Sequence, residues 1–319
     1  MKTILWTFVG LVSAVAGAPL AWCDDETPPA PPAPPADTRT FDLKYKFSPG
    51  EIIRTEVVHR ATVQTTIQGT SQTAETQSKS VKRWQVDNVA DDGAVTFTHS
   101  VESIDMWQKM QGRSEIRYNS LTDSEVPPGY EEAAESVAIP LSIVTMNGRG
   151  KILKRFEKRP QPTSLSTQMT MPLPDRPIHI GDSWSTPMDI DVILKDGGTK
   201  KIQTRQKFTL EKVASDVATI EVDTQILTPI SDPALEAQLI QRLTTGSVKF
   251  DMAAGRVMNQ QLDLDRNVIG FSGPSSSMHY VTRFTEQLLD EPAPVAAKPV
   301  TPKSAAKAPP VKKAAPARR

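Results

Sequence analysis

Cysteine is almost absent from this sequence. The single cysteine, Cys23, has no second cysteine with which to form an intramolecular disulfide, so burial of apolar surface must stabilise the folded chain. Histidine is scarce too, because His59, His99, His179 and His279 are the only four. No two of them stand at an HxH or HxxxH spacing, which removes the usual basis for a zinc site. We therefore predict no metal and no cofactor.

The common catalytic signatures are also lacking. No glycine-rich phosphate loop or dinucleotide fingerprint is present. The stretch Gly270-Phe-Ser-Gly273 lacks the spacing of the G-x-S-x-G hydrolase elbow. The carboxylate pairs Asp189/Asp191 and Asp263/Asp265 lack the loop glycine and glutamate of a calcium-binding hand. We predict no catalytic residue, and the sequence leaves open whether the protein is an enzyme.

Net charge is absent as well, since 37 basic residues balance 37 acidic ones. Bulk charge therefore says nothing about partners, although the two ends differ. Residues 24–38 carry only acidic charges, whereas residues 292–319 carry only basic ones: Lys298, Lys303, Lys307, Lys312, Lys313, Arg318 and Arg319. An Ala/Pro/Lys tail of this kind binds polyanions. An anionic envelope polymer or an acidic protein is the expected partner, nucleic acid is not, and a purely solubilising tail is the alternative.

The N-terminus indicates export. Residues 1–23 have one lysine, an apolar run and small residues near the end, as in a secretory signal peptide. Leu20-Ala-Trp-Cys23 partly matches a lipoprotein box, but Trp22 stands where that motif has a small residue, so acylation of Cys23 is the less favoured alternative. We expect an exported, periplasmic or envelope-associated protein whose residues 24–40 form an acidic, proline-rich linker.

Alternating apolar residues dominate the centre of the chain. Trp84, Val86 and Val89 precede an Asp-Asp-Gly turn, and Val95 and Phe97 follow it. A period of two predicts half-buried antiparallel strands. Slips in this phase predict bulges, which are typical of a sheet that curls toward a barrel. The predicted fold class is mainly β, with a half-barrel or barrel-like arrangement of duplicated antiparallel sheets.

Four landmarks occur twice in the same order, and each set contains one short helix. They are a glycine-acid turn, an aromatic-x-aliphatic strand, the helix, and a glycine-base-aliphatic turn. We predict a first β repeat at 41–158, a connection at 159–174 and a second β repeat at 175–289. The remaining residues, 290–319, form the predicted disordered tail. Whether the repeats share one sheet stays open.

These landmarks also carry a resemblance. The residues are Tyr45, Phe47, Gly50-Glu51, Trp84, Val86, Asp92-Gly93, Gly150-Lys151, Gly181-Asp182, Trp184 and Gly255-Arg256. Over residues 41–289 the chain resembles an uncharacterised family of exported bacterial β-rich proteins, which implies no particular activity. At the level of fold it also looks like the half-barrel lipoprotein carriers of the bacterial envelope.

His59 and His99 are the candidate ligand-binding residues. Both occupy apolar-phase positions on strands that look adjacent, so they could meet in a cavity, although two separately hydrogen-bonded core histidines are the alternative. Three functions follow in order: a non-catalytic binding or scaffold module, a carrier of an apolar, lipid-like ligand in a curled sheet, and a hydrolase that uses His59 or His99.

Overall fold

One large antiparallel sheet organises the protein. We analysed a computed structural model that describes residues 38–159, 170–194 and 196–289. Long alternating segments form the central strands: β1 (Ile52–Ile67), β2 (Thr70–Val89), β3 (Val95–Met110), β13 (Arg256–Ile269) and β14 (Ser276–Leu288). The predicted signal peptide with Cys23, most of the linker and the basic tail lie outside the described residues.

Shorter strands complete the sheet. They are β4 (Ile116–Asn119), β5 (Pro140–Met146), β6 (Ile152–Glu157), β7 (Ser183–Pro187), β10 (Thr204–Ala214), β11 (Val217–Ile226) and β12 (Thr245–Asp251). The strand order is β6-β5-β3-β2-β1-β14-β13-β12-β11-β10-β7, and β4 pairs with β3. The edge strands β6 and β7 do not pair with each other, so the described residues form an open sheet and not a closed barrel. The mainly β prediction is confirmed.

A small second sheet and two short helices accompany the large sheet. Strands β8 (Ile190–Ile193) and β9 (Thr199–Ile202) pair only with each other. The helices are α1 (Glu131–Glu135) and α2 (Pro233–Leu239), and a 3₁₀ turn, Ile240–Arg242, continues α2. No helix in the described ranges is long and apolar enough to cross a membrane.

The two faces of the large sheet differ in polarity. Residues opposite one another on paired strands share a face, so the register assigns each side chain to one side. We call the face with Ile53, Trp84, Phe97, Val248 and Phe250 the inner face, and these residues are buried. The other, outer face carries charged residues such as Arg54, Arg83, Asp263 and Arg283. This segregation explains the period of two in the sequence.

The segment Phe41–Phe47 alternates apolar and polar residues but does not form a strand. It makes one isolated bridge, Phe41 to Ile178, and then crosses between two turns. The Tyr45 amide donates to the Gly148 carbonyl and the Lys46 amide to the Gly255 carbonyl. Tyr45 packs against both large apolar clusters of the inner face. The alternation arises because the odd-numbered residues pack against the core while the even-numbered ones are exposed.

The same hydrogen bonds occur at the two predicted glycine-acid turns. The Ser48 amide donates to the Glu51 carboxylate, as the His179 amide does to Asp182. The next glycine amide in each repeat then donates to a strand carbonyl, Gly50 to Val86 and Gly181 to Leu210. A break in register follows directly after Val86 and after Leu210.

Both repeats lie in one sheet, because β1 of the first pairs with β14 of the second. The bounds 41–158 and 175–289 remain predictions. Two residues of the predicted connection, Met171 and Leu173, are buried in the core of the second repeat.

Candidate functional site

The two predicted ligand-binding histidines do not meet. Strand β2 lies between β1 and β3, and the register places His59 opposite Ser78 and His99 opposite Trp84. Six residues of β2 separate those positions, which is about 20 Å at the usual rise of a strand. The idea of a shared histidine site is therefore wrong. It treated β1 and β3 as neighbours, whereas the intervening hairpin strand keeps them apart.

His59 is a hydrogen-bonded inner-face residue. Its Nε2 lies 2.8 Å from Thr282 Oγ1, and that hydroxyl donates its only proton to the Arg60 carbonyl. The hydroxyl oxygen must accept from the imidazole, so Nε2 of His59 carries a hydrogen. Burial lowers the pKa of His59 below its usual value. The residue accordingly anchors β1 to β14.

His99 belongs to a buried row of polar side chains across three strands. Trp84, His99 and Ser142 lie opposite one another on β2, β3 and β5. Trp84 Nε1, both ring nitrogens of His99 and Ser142 Oγ are enclosed and have no hydrogen-bond partner within the described ranges. Burial lowers the pKa of His99 to about 3, and the charges of Lys82 and Arg155 act in the same direction. The imidazole is therefore neutral at neutral pH and is covered by protein atoms, so this geometry gives no support to a hydrolase.

A groove opens elsewhere on the inner face because one strand is short. Strand β12 starts at Thr245, which pairs with Asp223 on β11 and Asp263 on β13. Beyond that point β11 runs to Ile226 and β13 to Ile269 with no strand between them. The space is partly filled by α2 and the 3₁₀ turn. What remains is an open groove of about 550 Å³.

Local interactions fix the helix that borders the groove. Asp232 accepts the Ala234 amide at the start of α2, with Pro233 at the first helical position, as the sequence predicts. The Gln238 side chain makes two hydrogen bonds of 2.9 Å to the backbone of Ile193 on β8. Leu235 and Leu239 are buried against the small sheet. The small sheet therefore holds α2 in place, and α2 sets the width of the groove.

Apolar walls and a few polar groups line the groove. The apolar surface comes from Ile226, Leu227, Ile230 and Leu243. The polar lining residues include Thr224, Glu236 and Arg266. Thr224 is 9% exposed, and its hydroxyl has no hydrogen-bond partner in the described part of the chain. Arg266 is exposed and makes no ion pair or hydrogen bond there. An apolar groove with a few convergent polar groups is the usual form of a small-molecule site.

Sequence reasoning missed Arg266, although one signal was available. Inner-face residues of β13 are the even positions, with Leu262 and Leu264 before Arg266 and Val268 after it. A charged residue in an apolar phase is unusual, since the unpaired charge must stay hydrated or find a partner. That exception to the alternation was the available clue.

A second space of about 530 Å³ adjoins the groove through Leu243 and Arg266. Its lining includes Ala61 and Thr282 from the inner face but also Arg60 and Arg283 from the outer face. A continuous sheet separates those two sets, so this volume consists of two shallow surfaces and not one cavity. Only its inner-face part extends the groove.

The groove lies inside a region that known sequences share. Residues 129–268 match the family model described as a family of unknown function, DUF6263. The matched region runs from the turn before α1 to Val268, so it contains Thr224, Glu236 and Arg266 but neither His59 nor His99. No curated protein matches the sequence.

Solved structures give only distant likenesses. A structure titled for lipid–protein interactions in lipovitellin has 11% identity and a TM-score of 0.42, covering 81% of this chain and 27% of that one. A DUF1329 family protein from Desulfovibrio piger has 9% identity and a TM-score of 0.14. An outer membrane lipoprotein-sorting protein domain from Vibrio parahaemolyticus has 10% identity and a TM-score of 0.13. Each of the last two alignments covers 71% of this chain and 83% of the other. The chain spans about a quarter of the lipovitellin chain, and TM-scores below 0.5 do not establish a shared function.

In the three described ranges, no group of three or more His, Cys, Asp or Glu side chains is close enough to hold a metal ion.

Proposed function

We propose that the protein is a non-catalytic binding module of the cell envelope that holds an apolar, lipid-like small molecule in the groove. The observation that carries the proposal is the gap beyond β12, which leaves inner-face surface uncovered. Two large clusters bury the apolar residues over much of the rest of that face. The envelope location rests on the predicted signal peptide, which lies outside the described residues.

The exposed apolar surface of the groove supports this function. Leu227, on its wall, is 50% exposed, and Ile226 and Ile230 beside it are only partly buried. Burying such surface against a ligand releases roughly 25 cal/mol per Å² of apolar area. The inner-face surface that continues past Leu243 to Ala61 is also only partly buried. A ligand longer than the groove therefore has further surface to lie on.

The first test is binding of the uncharged fluorescent probe phenylnaphthylamine, followed by its fluorescence in titrations of the purified protein. We expect saturable binding to the wild type. Leu227→Asn removes apolar wall without adding charge and is expected to weaken binding about fivefold, the effect of losing roughly 1 kcal/mol of apolar contact. Leu153→Asn is the matched control, because Leu153 is 55% exposed but lies on the edge strand β6. Its affinity should equal that of the wild type.

The second test uses protein purified from its own host. Native mass spectrometry should show protein that carries a bound molecule. Leu227→Asn should lower the bound fraction, and Leu153→Asn should leave it as in the wild type. A wild type that neither takes up the probe nor carries extra mass would refute the proposal. Equal weakening by both variants would place the apolar site elsewhere on the protein.

A further inference from the structure

One wall of the groove carries a cation. Arg266 pairs with Tyr280 across β13 and β14, and its neighbours on the inner face are Leu264 and Val268. The adjacent carboxylates Asp263 and Asp265 are on the outer face, where they pair with Arg283 and His279. They therefore point away from Arg266 and do not neutralise it. Among the described residues that line the groove, Arg266 is the one cation.

The remaining polar groups set the charge balance. Glu236 lines the same groove but lies beyond the 4.0 Å ion-pair limit from Arg266. The groove therefore carries one positive and one negative charge that do not form a pair. The hydroxyl of Thr224 is enclosed and has no hydrogen-bond partner among the described residues, so it adds no accessible charge or donor to this balance.

Together these groups fit one class of ligand. We infer that the groove recognises an amphipathic molecule with a single carboxylate head, which lies on Arg266 while the apolar tail lies along Ile226 and Leu243. A guanidinium matches a carboxylate because its donors form a planar fork. A monoanion suits the site better than a dianionic phosphate, which Glu236 would repel more strongly. This inference rests on the proposed function and adds the chemistry of the ligand head.

The test compares two ligands that differ only in their head. Dodecanoate and dodecanol are titrated as competitors of phenylnaphthylamine on the full chain. We expect dodecanoate to bind more tightly than dodecanol, with the difference shrinking as salt is raised, because salt screens an exposed charge.

Three variants locate the charge that matters. Arg266→Met keeps the apolar stem of the side chain. We expect it to lower the affinity for dodecanoate roughly tenfold and to change the affinity for dodecanol by less than about twofold. Arg113→Met removes the same charge from the turn after β3 and should leave both ligands as in the wild type. Glu236→Gln should raise the affinity for dodecanoate and leave the affinity for dodecanol unchanged. The two groove variants therefore change dodecanoate binding in opposite directions.

Several outcomes overturn the inference. Equal binding of both ligands to the wild type, or equal losses for both in Arg266→Met, would mean that no carboxylate is recognised at Arg266. A preference for dodecyl phosphate over dodecanoate would replace the carboxylate by a phosphate head. If neither ligand displaces the probe, the proposed function fails with the inference. If dodecanol alone displaces it, only the inference fails. Should Arg266→Met fold poorly by circular dichroism, the opposite effect expected of Glu236→Gln decides the same question.

Discussion

The buried imidazole of His99 makes the protein sensitive to mild acid. Its pKa is about 3 in the folded chain and 6.5 when unperturbed. Between these values the unfolded chain binds a proton that the folded chain excludes, so stability falls as pH falls from 6.5 toward 3. The limiting loss is about 5 kcal/mol, from roughly 1.4 kcal/mol for each pKa unit, and about 2 kcal/mol is lost by pH 5.

Urea unfolding at pH 7.5 and at pH 5 measures this loss. Both pH values lie above the ordinary pKa range of carboxyl groups, so the change in unfolding free energy between them comes mainly from histidines. His99→Leu removes the titrating group and is expected to lower the loss by about 2 kcal/mol. Ser142→Ala, beside His99 but without a titrating side chain, should lose as much as the wild type. His59, whose pKa is also lowered by burial, contributes in the same direction and remains in both variants.

One result would refute the reasoning. If His99→Leu lost as much stability between the two pH values as the wild type, His99 could not be the buried neutral group described above. A Lys82→Met variant checks the electrostatic part, because removing that charge should raise the folded-state pKa of His99 and shrink the loss.

Three further predictions concern the core and the tail. Gly150→Ala should lower the unfolding free energy by about 2–4 kcal/mol in the same urea assay. Its φ is +79°, and an added Cβ would lie 2.7 Å from a carbonyl oxygen and from a tyrosine ring carbon. Gly93→Ala is the control, because Gly93 has a similar φ of +80° but open space around it, and it should lose only about 1 kcal/mol. Ser142→Ala should leave stability unchanged or raise it by about 1 kcal/mol, since it removes an enclosed hydroxyl without a partner, and a clear loss would show that the hydroxyl is bonded in solution. Deleting residues 292–319 should reduce retention on envelope fractions in a pull-down if the basic tail binds an anionic polymer or an acidic protein, and equal retention would remove the tail from the binding function.

Much of the fold follows from local pattern. Residues 53–67 alternate over the whole of β1, and the Asp-Asp-Gly and Asn-Gly turns separate the strands that the sequence predicts. Asp232 and Pro233 start α2 where expected. Period two and capping depend on neighbours within a few residues, so the sequence alone contains that information.

Where local pattern failed, contacts from distant segments were responsible. The alternation over positions 202–210 is that of one strand, yet the structure has two strands there, separated at Gln203. Strand β9 belongs to the small sheet and β10 to the large one. Alternation reports which side is buried, but not which partner buries it.

The sequence by itself determined the mainly β class, the polarity of the two faces and the repeated turns. The tertiary structure alone decided that β1 pairs with β14 and that β2 separates His59 from His99. It also decided that a short β12 leaves a groove with Arg266 inside it. Strand order and register are set by pairing between segments far apart in the chain, and a groove exists only where such pairing ends, which no window of neighbouring residues can show.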